Sequence, residues 1–289
     1  MQGKIAACNV LSDMYAMGVT DVDTLLMILG VSVDMDPVAM DYVTKELIRG
    51  FNGHCIPLPS PTDQARVAVT NVTGGQTVRN PWPMIGGCAT STCREGEDFL
   101  RPVYGKEGDV LVLTKPLGTQ LAVNMFEWIR TAAKFNRVKG VITVDEIVAA
   151  YKMAMTSMSY LNLDAARLMW KYEAHGCTDV TGFGMLGHSN NLAQEQEAEV
   201  DLVVDTLPII KGMIKVERHL NNNWNLFKGR SAETSGGLLI MMTPENAAKY
   251  IQEYKAVSGH DAWVVGKVVK GSRQGRVVEE PTLIEVESW

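Results

Sequence analysis

Asn9, Ser12 and Asp13 are the first polar side chains in the sequence whose spacing suggests chemistry. Residues 4–17 have the small and apolar composition of a buried helix, and Gly18 is a suitable stop for it. Positions i, i+3 and i+4 share one helix face, so an amide and a carboxylate suited to a metal ion would lie together. A solvent-facing polar stripe explains the same spacing, and both interpretations stay open.

A glycine pair, Gly74 and Gly75, lies in the sequence TGGQT at residues 73–77. We predict a strand over 66–72 and a turn over 73–77. Paired glycines after a strand let the backbone approach a ligand and expose N–H groups to anions. The Gly-Lys-Ser/Thr of a Walker A loop is missing, and an ordinary turn also explains the pair.

Two further glycine-rich segments lie in the second half of the chain. In CTDVTGFGMLGH at 177–188, Thr178 or Asp179 is expected to cap a helix, whose N-terminus would favour phosphate. Asp179 would repel that phosphate unless a cation lay between them. Glycines this close together in a helix predict close backbone packing or a ligand. The segment ETSGGLLI at 233–240 predicts a tight backbone crossing, or only a turn before a strand.

Composition excludes several classes of protein. A net charge of -6 argues against a nucleic-acid surface, although a divalent cation can still bridge acidic side chains to a triphosphate. No apolar run reaches the roughly 18 residues of a membrane span, and no signal peptide is evident. Five scattered cysteines fit neither a disulfide framework nor a zinc site. We therefore expect a cytoplasmic protein without nucleic-acid or membrane partners.

Hydrophobic periodicity predicts an α/β protein with two domains, 1–107 and 108–289, joined by a linker at 105–108. In the first domain we expect a strand at 24–31 buried on both faces, a helix at 37–50, a loop at 53–64 and a strand at 84–92. In the second we expect strands at 109–114, 199–204, 236–242 and 262–269, and helices at 119–135, 144–159, 161–174, 208–220 and 244–257.

Taken in order, these segments resemble the selenophosphate synthetases. The shared blocks are NxxSDxxAMG at 9–18, TGGQT at 73–77, TDVTGFGxLGH at 178–188 and ETSGGLL at 233–239. VLTKPLGTQ at 112–120 and the Asn-Pro-Trp at 80–82 resemble the eukaryotic branch. The resemblance covers nearly the whole chain, and TDVTGFG is its most specific part.

The resemblance implies a two-domain aminoimidazole ribonucleotide synthetase-like fold, with ATP between the domains and N-terminal domains that pair strands across a homodimer. It implies conversion of ATP, selenide and water to selenophosphate, AMP and phosphate, which supplies selenium for selenocysteine synthesis; a selenium-delivery protein is a further implied partner. By match, Asp13 and Asp179 are magnesium ligands. The implied nucleotide contacts are Asn9, Asp13, Gly74, Gly75, Gln76 and Thr77.

The resemblance also places three catalytic contributions upstream of Met1: a nucleophilic cysteine or selenocysteine, a lysine and another metal-binding aspartate. We therefore expect no catalytic residue in this chain, and little or no selenophosphate synthesis by it alone. Cys8 and Cys177 are expected to pack as small apolar residues rather than to replace the nucleophile. The insert at 53–65 is expected to be a surface loop. A non-catalytic regulatory paralogue, or another ATP enzyme of the superfamily such as a purine-pathway synthetase or thiamine-phosphate kinase, remain alternatives.

Overall fold

The computed structural model describes residues 1–55, 70–94 and 98–289, without the side chains of residues 54 and 55. These residues form two compact units: Met1–Phe99 with Ser159–Arg167, and Leu100–Met158 with Leu168–Trp289. The return of the chain to the first unit at 159–167 was not anticipated from the sequence. The domain boundary expected between residues 107 and 108 stays a prediction.

The described part of the first unit contains a three-stranded sheet. Its elements are α1 (Gln2–Ala16), β1 (Thr24–Ser32), α2 (Pro37–Cys55), β2 (Val72–Asn80) and β3 (Met84–Thr90). Strand β1 is central, parallel to β2 and antiparallel to β3. Helices α1 and α2 cross closely at Gly3, where any added Cβ would overlap the carbonyl oxygen of Leu47. Glycine is therefore needed there so that the two backbones can meet.

The helices of this unit agree with the prediction better than its first strand does. Helix α1 ends at Ala16, and Gly18 adopts the left-handed conformation (φ 71°) expected of a stop residue. Helix α2 continues to residue 55, past the predicted start of the loop at 53, and residues 56–69 lie outside the described residues. Burial of β1 on both faces is wrong, because Leu26 and Ile28 are 38% and 49% exposed. Strand side chains alternate between faces, and only one face is covered.

The turn predicted over residues 73–77 is also wrong, because these residues lie inside β2. Gly75 is opposite Met27 of β1, and an added Cβ would overlap the carbonyl oxygen of Met27. Gly75 also has φ 148°, a conformation that other residues rarely adopt. Gly75 is thus explained by strand pairing, which the local sequence does not reveal.

The second unit is built on a larger mixed sheet. Its strands are β4 (Val110–Leu113), β5 (Gly176–Asp179), β6 (Val200–Ile210), β7 (Leu238–Met242), β8 (Trp263–Lys270) and β9 (Gly275–Val286). The helices are α3 (Thr119–Trp128), α4 (Ala132–Phe135), α5 (Val144–Met158), α7 (Gly184–Gln194), α8 (Met213–His219) and α9 (Pro244–Ser258). Helix α6 (Leu163–Lys171) begins in the first unit, and its residues from 168 onward belong to the second. The strand order is β5-β7-β4-β8-β6-β9. Every residue of β7 is buried, so the core of this unit is centred on β4 and β7.

The predicted alternation of strands and helices in this unit is mostly confirmed, with three differences. The helix expected at 119–135 is divided into α3 and α4, and β6 runs on to Ile210, which delays α8 to Met213. Strands β5 and β9 were missed, because β5 has only four residues and β9 carries exposed glutamates and a proline. None of the described helices combines the length and apolar character that a membrane span requires.

Candidate functional site

Helix α1 presents Asn9 and Asp13 to solvent, one helical turn apart. Ser12 points inward instead: it is 0% exposed, and its hydroxyl oxygen accepts a hydrogen bond from Asn162 Nδ2 at 3.2 Å. The three polar residues therefore divide into an exposed amide–carboxylate pair and a buried structural serine. The exposed pair is the part of this group that a ligand can reach.

A groove of about 350 Å³ lies beside Asn9 within the first unit. Its walls come from α1, including Ile5 and Val10, and from the start of β3, including Met84 and Ile85. The groove is mainly apolar, so Asn9 provides one of few hydrogen-bonding groups in its lining. Asp13 does not line it.

The glycine pair of TGGQT lies on β2, an edge strand of the described sheet, and residues 73–79 are exposed. The two glycines differ in their surroundings. A Cβ on Gly74 would meet no atom closer than Leu26 Cδ2 at 3.4 Å, whereas Gly75 is constrained by β1. Gln76 Nε2 donates to the carbonyl oxygen of Thr77 at 3.2 Å. A ligand therefore has room to approach the backbone closely at Gly74. Gly75 is explained by its pairing with β1 and is not evidence for a ligand.

In the second unit, Asp179 is the last residue of β5 and is 7% exposed. The prediction that Thr178 or Asp179 caps a helix is wrong, because both lie in β5 and α7 begins only at Gly184. Close backbone packing of the glycines is confirmed at Gly184, which has φ 69°. An added Cβ there would lie 2.6 Å from the carbonyl oxygen of Gly229.

The tight crossing predicted for ETSGGLLI is confirmed. An added Cβ on Gly236 would overlap the carbonyl oxygen of Val180, and one on Gly237 would overlap the backbone nitrogen of Lys115. Strands β4 and β5 both run antiparallel to β7 and therefore end at the same edge of the sheet. The segment before β7 passes between those two ends, next to Asp179.

A buried polar network holds this crossing in place. The carboxyl group of Glu233 accepts hydrogen bonds from the backbone N–H groups of Gly118 (2.7 Å) and Thr119 (2.9 Å) and from the Thr119 hydroxyl. Lys115 is 0% exposed, and its ammonium donates to the carbonyl oxygen of Ser235 at 2.9 Å. Burial raises the pKa of Glu233 to about 7, although these hydrogen bonds act to lower it.

Sequence reasoning identified the segments that contain Lys115 and Glu233 but gave neither side chain a role. One signal was present: Lys115 lies two residues beyond the apolar strand β4 and three residues before Gly118. A charged residue placed there is buried with the strand end, and a buried charge requires hydrogen-bonding partners. Those partners lie more than 100 residues away, so the sequence could not name them.

Near Asp179, the titratable groups of His188 and Cys177 favour their neutral forms. Burial lowers the pKa of His188, more strongly than Asp179 raises it, and His188 Nε2 lies 3.1 Å from the Thr181 hydroxyl. Burial and the nearby Asp179 raise the pKa of Cys177 well above its usual value. Cys177 is 4% and Cys8 is 3% exposed, so the prediction that both pack as small apolar residues is confirmed.

Comparison with known proteins assigns the family. The family described as AIR synthase related protein, C-terminal domain, matches residues 106–279. Selenide, water dikinase 2 of Mus musculus is 47% identical in an alignment 289 residues long, which covers 99% of this chain and 61% of that protein. Selenide, water dikinase of Dictyostelium discoideum is 46% identical in an alignment 293 residues long, which covers 99% of this chain and 78% of that protein. This chain belongs to the selenide, water dikinase family.

The family resemblance inferred from the motifs is thereby confirmed. This dikinase-family chain spans 61% of the length of the mouse relative. Hydrogenase maturation protein HypE, solved in complex with ATP, superposes with a TM-score of 0.64 at 14% identity, covering 96% of this chain and 75% of that one. An identity this low shows the fold alone, a mixed α/β arrangement with two sheets.

In residues 1–55, 70–94 and 98–289, no group of three or more histidine, cysteine, aspartate or glutamate side chains is arranged to hold a metal ion. Mg²⁺ is usually held by one or two carboxylates together with substrate phosphates and water. The described residues therefore contain no preformed cage for such an ion.

Proposed function

We propose that this chain carries much of the ATP site of a selenide, water dikinase, which converts ATP, selenide and water to selenophosphate, AMP and phosphate. The observation that carries the proposal is the 46% identity to the Dictyostelium dikinase across 99% of this chain. The shared fold with HypE, which was solved with ATP, adds support. Selenophosphate would then serve selenocysteine synthesis.

Within this function, we assign Asp13 and Asp179 as ligands of Mg²⁺ that accompanies the nucleotide. Asn9, Gly74, Gly75, Gln76 and Thr77 contact the nucleotide itself. The exposed amide–carboxylate pair on α1 and the space above Gly74 support these roles. The magnesium ions would offset charge on the phosphate oxygens during transfer.

The residues around Asp179 have a positioning role in this proposal. Gly236 and Gly237 let the segment before β7 pass against both Val180 and Lys115. The Glu233 carboxyl fixes the same segment to the start of α3. Asp179 is consequently held on a rigid strand end, which is what a metal ligand needs to bind with little loss of conformational freedom.

We assign the catalytic nucleophile, a lysine and a third metal-binding aspartate to the part of the relatives' length that this chain does not span, since it covers 61% of the mouse dikinase. Little or no selenophosphate synthesis by the chain alone stays a prediction. We place the enzyme in the cytoplasm, where its thiols would stay reduced; the four cysteines whose side chains the structure describes form no disulfide bond. A selenium-delivery protein remains a proposed partner.

We also propose that the enzyme is a homodimer that uses the uncovered face of the first sheet. The register of β1 with β2 and β3 places Leu26, Ile28, Val78 and Met84 on one face. Each of these side chains is at least 38% exposed. An apolar face of this kind is typical of an interface between subunits.

Calorimetric titration of MgATP into the 289-residue chain tests the nucleotide site. We expect Asp13→Asn and Asp179→Asn each to weaken binding by about tenfold or more, because each removes a ligand charge. Asp145→Asn, an exposed aspartate at the start of α5, is the matched control and should bind as the wild type does. Unchanged binding in both site variants would refute the metal assignments.

A non-catalytic regulatory paralogue is the second candidate. It is favoured by the burial of Cys8 and Cys177, which leaves the two cysteines next to the carboxylate motifs unsuited to nucleophilic attack. Selenide-dependent AMP formation by the full-length protein would exclude it. Another ATP enzyme of the superfamily is disfavoured by the 46–47% identity to dikinases.

A further inference from the structure

A group of exposed cations lies between α3 and α5, in a chain whose net charge is -6. Residues 128–144 contain Arg130, Lys134, Arg137 and Lys139 and no acidic residue. All four cations are exposed. Together with Arg218 of α8, which is also exposed, we call them the basic surface.

The backbone that carries the basic surface is held firmly. Val138 and Ile142 are 0% and 2% exposed and anchor the segment to the core. Successive turns are closed by backbone hydrogen bonds, including Lys139 N to Phe135 O at 3.0 Å. His219 Nε2 donates to the carbonyl oxygen of Arg137 at 2.9 Å, which brings α8 and Arg218 beside the segment. The backbone beneath these cations is therefore fixed by packing and hydrogen bonds.

Few carboxylates neutralise these charges. Arg130 lies 3.5 Å from Glu127, but among the described residues no carboxylate oxygen lies within 4.0 Å of Lys134, Arg137, Lys139 or Arg218. The acidic residues nearby in sequence do not pair with these cations. Glu146 pairs with Lys215, Glu217 is buried, and Asp145 lies in the first turn of α5. Like charges gathered in this way repel one another unless an anion binds.

We propose that the basic surface binds a partner protein through a segment rich in aspartate and glutamate. Charge complementarity selects an anionic partner, and the aromatic side chains argue for protein rather than nucleic acid. The rings of Phe126 and Tyr151 stack on each other with centroids 3.9 Å apart, and the Arg130 guanidinium lies 5.7 Å from the Phe126 ring.

Trp128 is similarly covered, with the Arg137 guanidinium 4.8 Å from its ring and only 6% of the residue exposed. Single-stranded nucleic acids usually bind by stacking bases on free aromatic faces, and these faces are already occupied. The acidic remainder of the chain would also repel a long polyanion, whereas a short acidic segment can stay within the basic surface. This proposal is independent of the ATP site.

Fluorescence anisotropy of a labelled octaglutamate peptide, titrated with the 289-residue chain, tests the proposal. We expect the charge reversal K134E/K139E to weaken binding by about tenfold or more, because it turns attraction into repulsion. K267E/K270E is the matched control: both lysines are exposed on β8, and this variant should lose far less affinity. Raising the salt from about 50 to about 200 mM should weaken wild-type binding.

Three results would overturn the proposal. These are no binding of the peptide at the lower salt concentration, equal losses in the two charge-reversal variants, or tighter binding of a labelled single-stranded RNA octamer or of anionic lipid vesicles than of the peptide. Circular dichroism melting of each variant checks that the fold is retained. The salt dependence of the wild type is an independent measurement if a variant unfolds.

Discussion

The buried carboxyl group of Glu233 accepts the backbone N–H of Thr119 at 2.9 Å, and so joins two segments 114 residues apart in sequence. The same carboxyl group also accepts the N–H of Gly118 and the Thr119 hydroxyl. It therefore occupies the N-terminal end of α3 and satisfies donors that the helix itself leaves unpaired. The segment that leads into β7, beside Asp179, depends on this attachment.

Replacement of Glu233 by alanine should destabilise the protein by about 2–4 kcal/mol, because it leaves buried N–H donors without acceptors. The measurement is the free energy of unfolding from urea titration. Glu245→Ala is a suitable control, since Glu245 forms an exposed pair with Lys249 and its loss should cost less than about 1 kcal/mol. Similar losses for the two variants would contradict the role assigned to Glu233.

The stability of the protein should depend on pH through Glu233. Its pKa is raised from the ordinary value of 4.5 to about 7 in the folded state, so the folded protein holds a proton that the unfolded chain releases earlier. The stability linked to this proton is complete below about pH 4.5 and is lost as the pH rises through about 7. The loss should be on the order of 3 kcal/mol.

Urea titrations at pH 5 and pH 8, for wild type and Glu233→Gln, measure this effect. The glutamine cannot ionise, so the variant should show a smaller loss between the two pH values. The difference between the two proteins isolates Glu233 from His188, whose lowered pKa acts in the opposite direction. An identical pH dependence in both proteins would argue against a proton on Glu233.

Gly236→Ala should strongly perturb the edge of the sheet that holds Asp179. The new Cβ would overlap the carbonyl oxygen of Val180, a backbone atom that cannot move away easily. We expect a loss of about 2 kcal/mol or more in unfolding free energy and weaker MgATP binding. Gly182→Ala is the matched control, because no atom lies within 4 Å of its added Cβ. The prediction fails if both substitutions are equally harmless.

The proposed dimer should dissociate when charge is placed on the uncovered face of the first sheet. Ile28 is 49% exposed on that face, and Ile28→Glu would bury a carboxylate in the subunit interface. Light scattering coupled to size-exclusion chromatography should show a shift toward monomer. Val38→Glu, at a residue 79% exposed on α2, should leave the oligomeric state unchanged. A wild-type monomer at micromolar concentration would contradict the dimer itself.

The sequence was informative where local patterns decide structure. The composition of residues 4–17 and the glycine at 18 predicted α1 nearly to its ends, and the apolar run at 109–114 predicted β4. The glycine pair at 74 and 75 was misread, because its conformation follows from pairing with β1, 48 residues earlier in the register. The side-chain role of Glu233 was missed for a related reason: its partners come from a distant segment.

In the candidate site, too, local sequence predicts some features, whereas others depend on packing against distant segments. The motifs located Asp13 and Asp179, and the structure adds that Asp13 is exposed on a helix whereas Asp179 ends a buried strand. Ser12 was grouped with Asn9 and Asp13 by helical spacing, but the packing of residues 159–167 turned it inward. Spacing predicts which residues share a side of a helix, but not where the boundary between core and solvent falls on that side.

The return of residues 159–167 to the first unit affects how this protein can be dissected. A fragment that stops at residue 99 would lack Asn162, and the buried hydroxyl of Ser12 would lose that hydrogen bond. Chimeras between relatives that exchange only the first 99 residues would combine a helix from one parent with its packing partner from the other. Residues 1–99 and 159–167 should therefore be taken from the same parent protein in gene fusions, split reporters and crossover libraries.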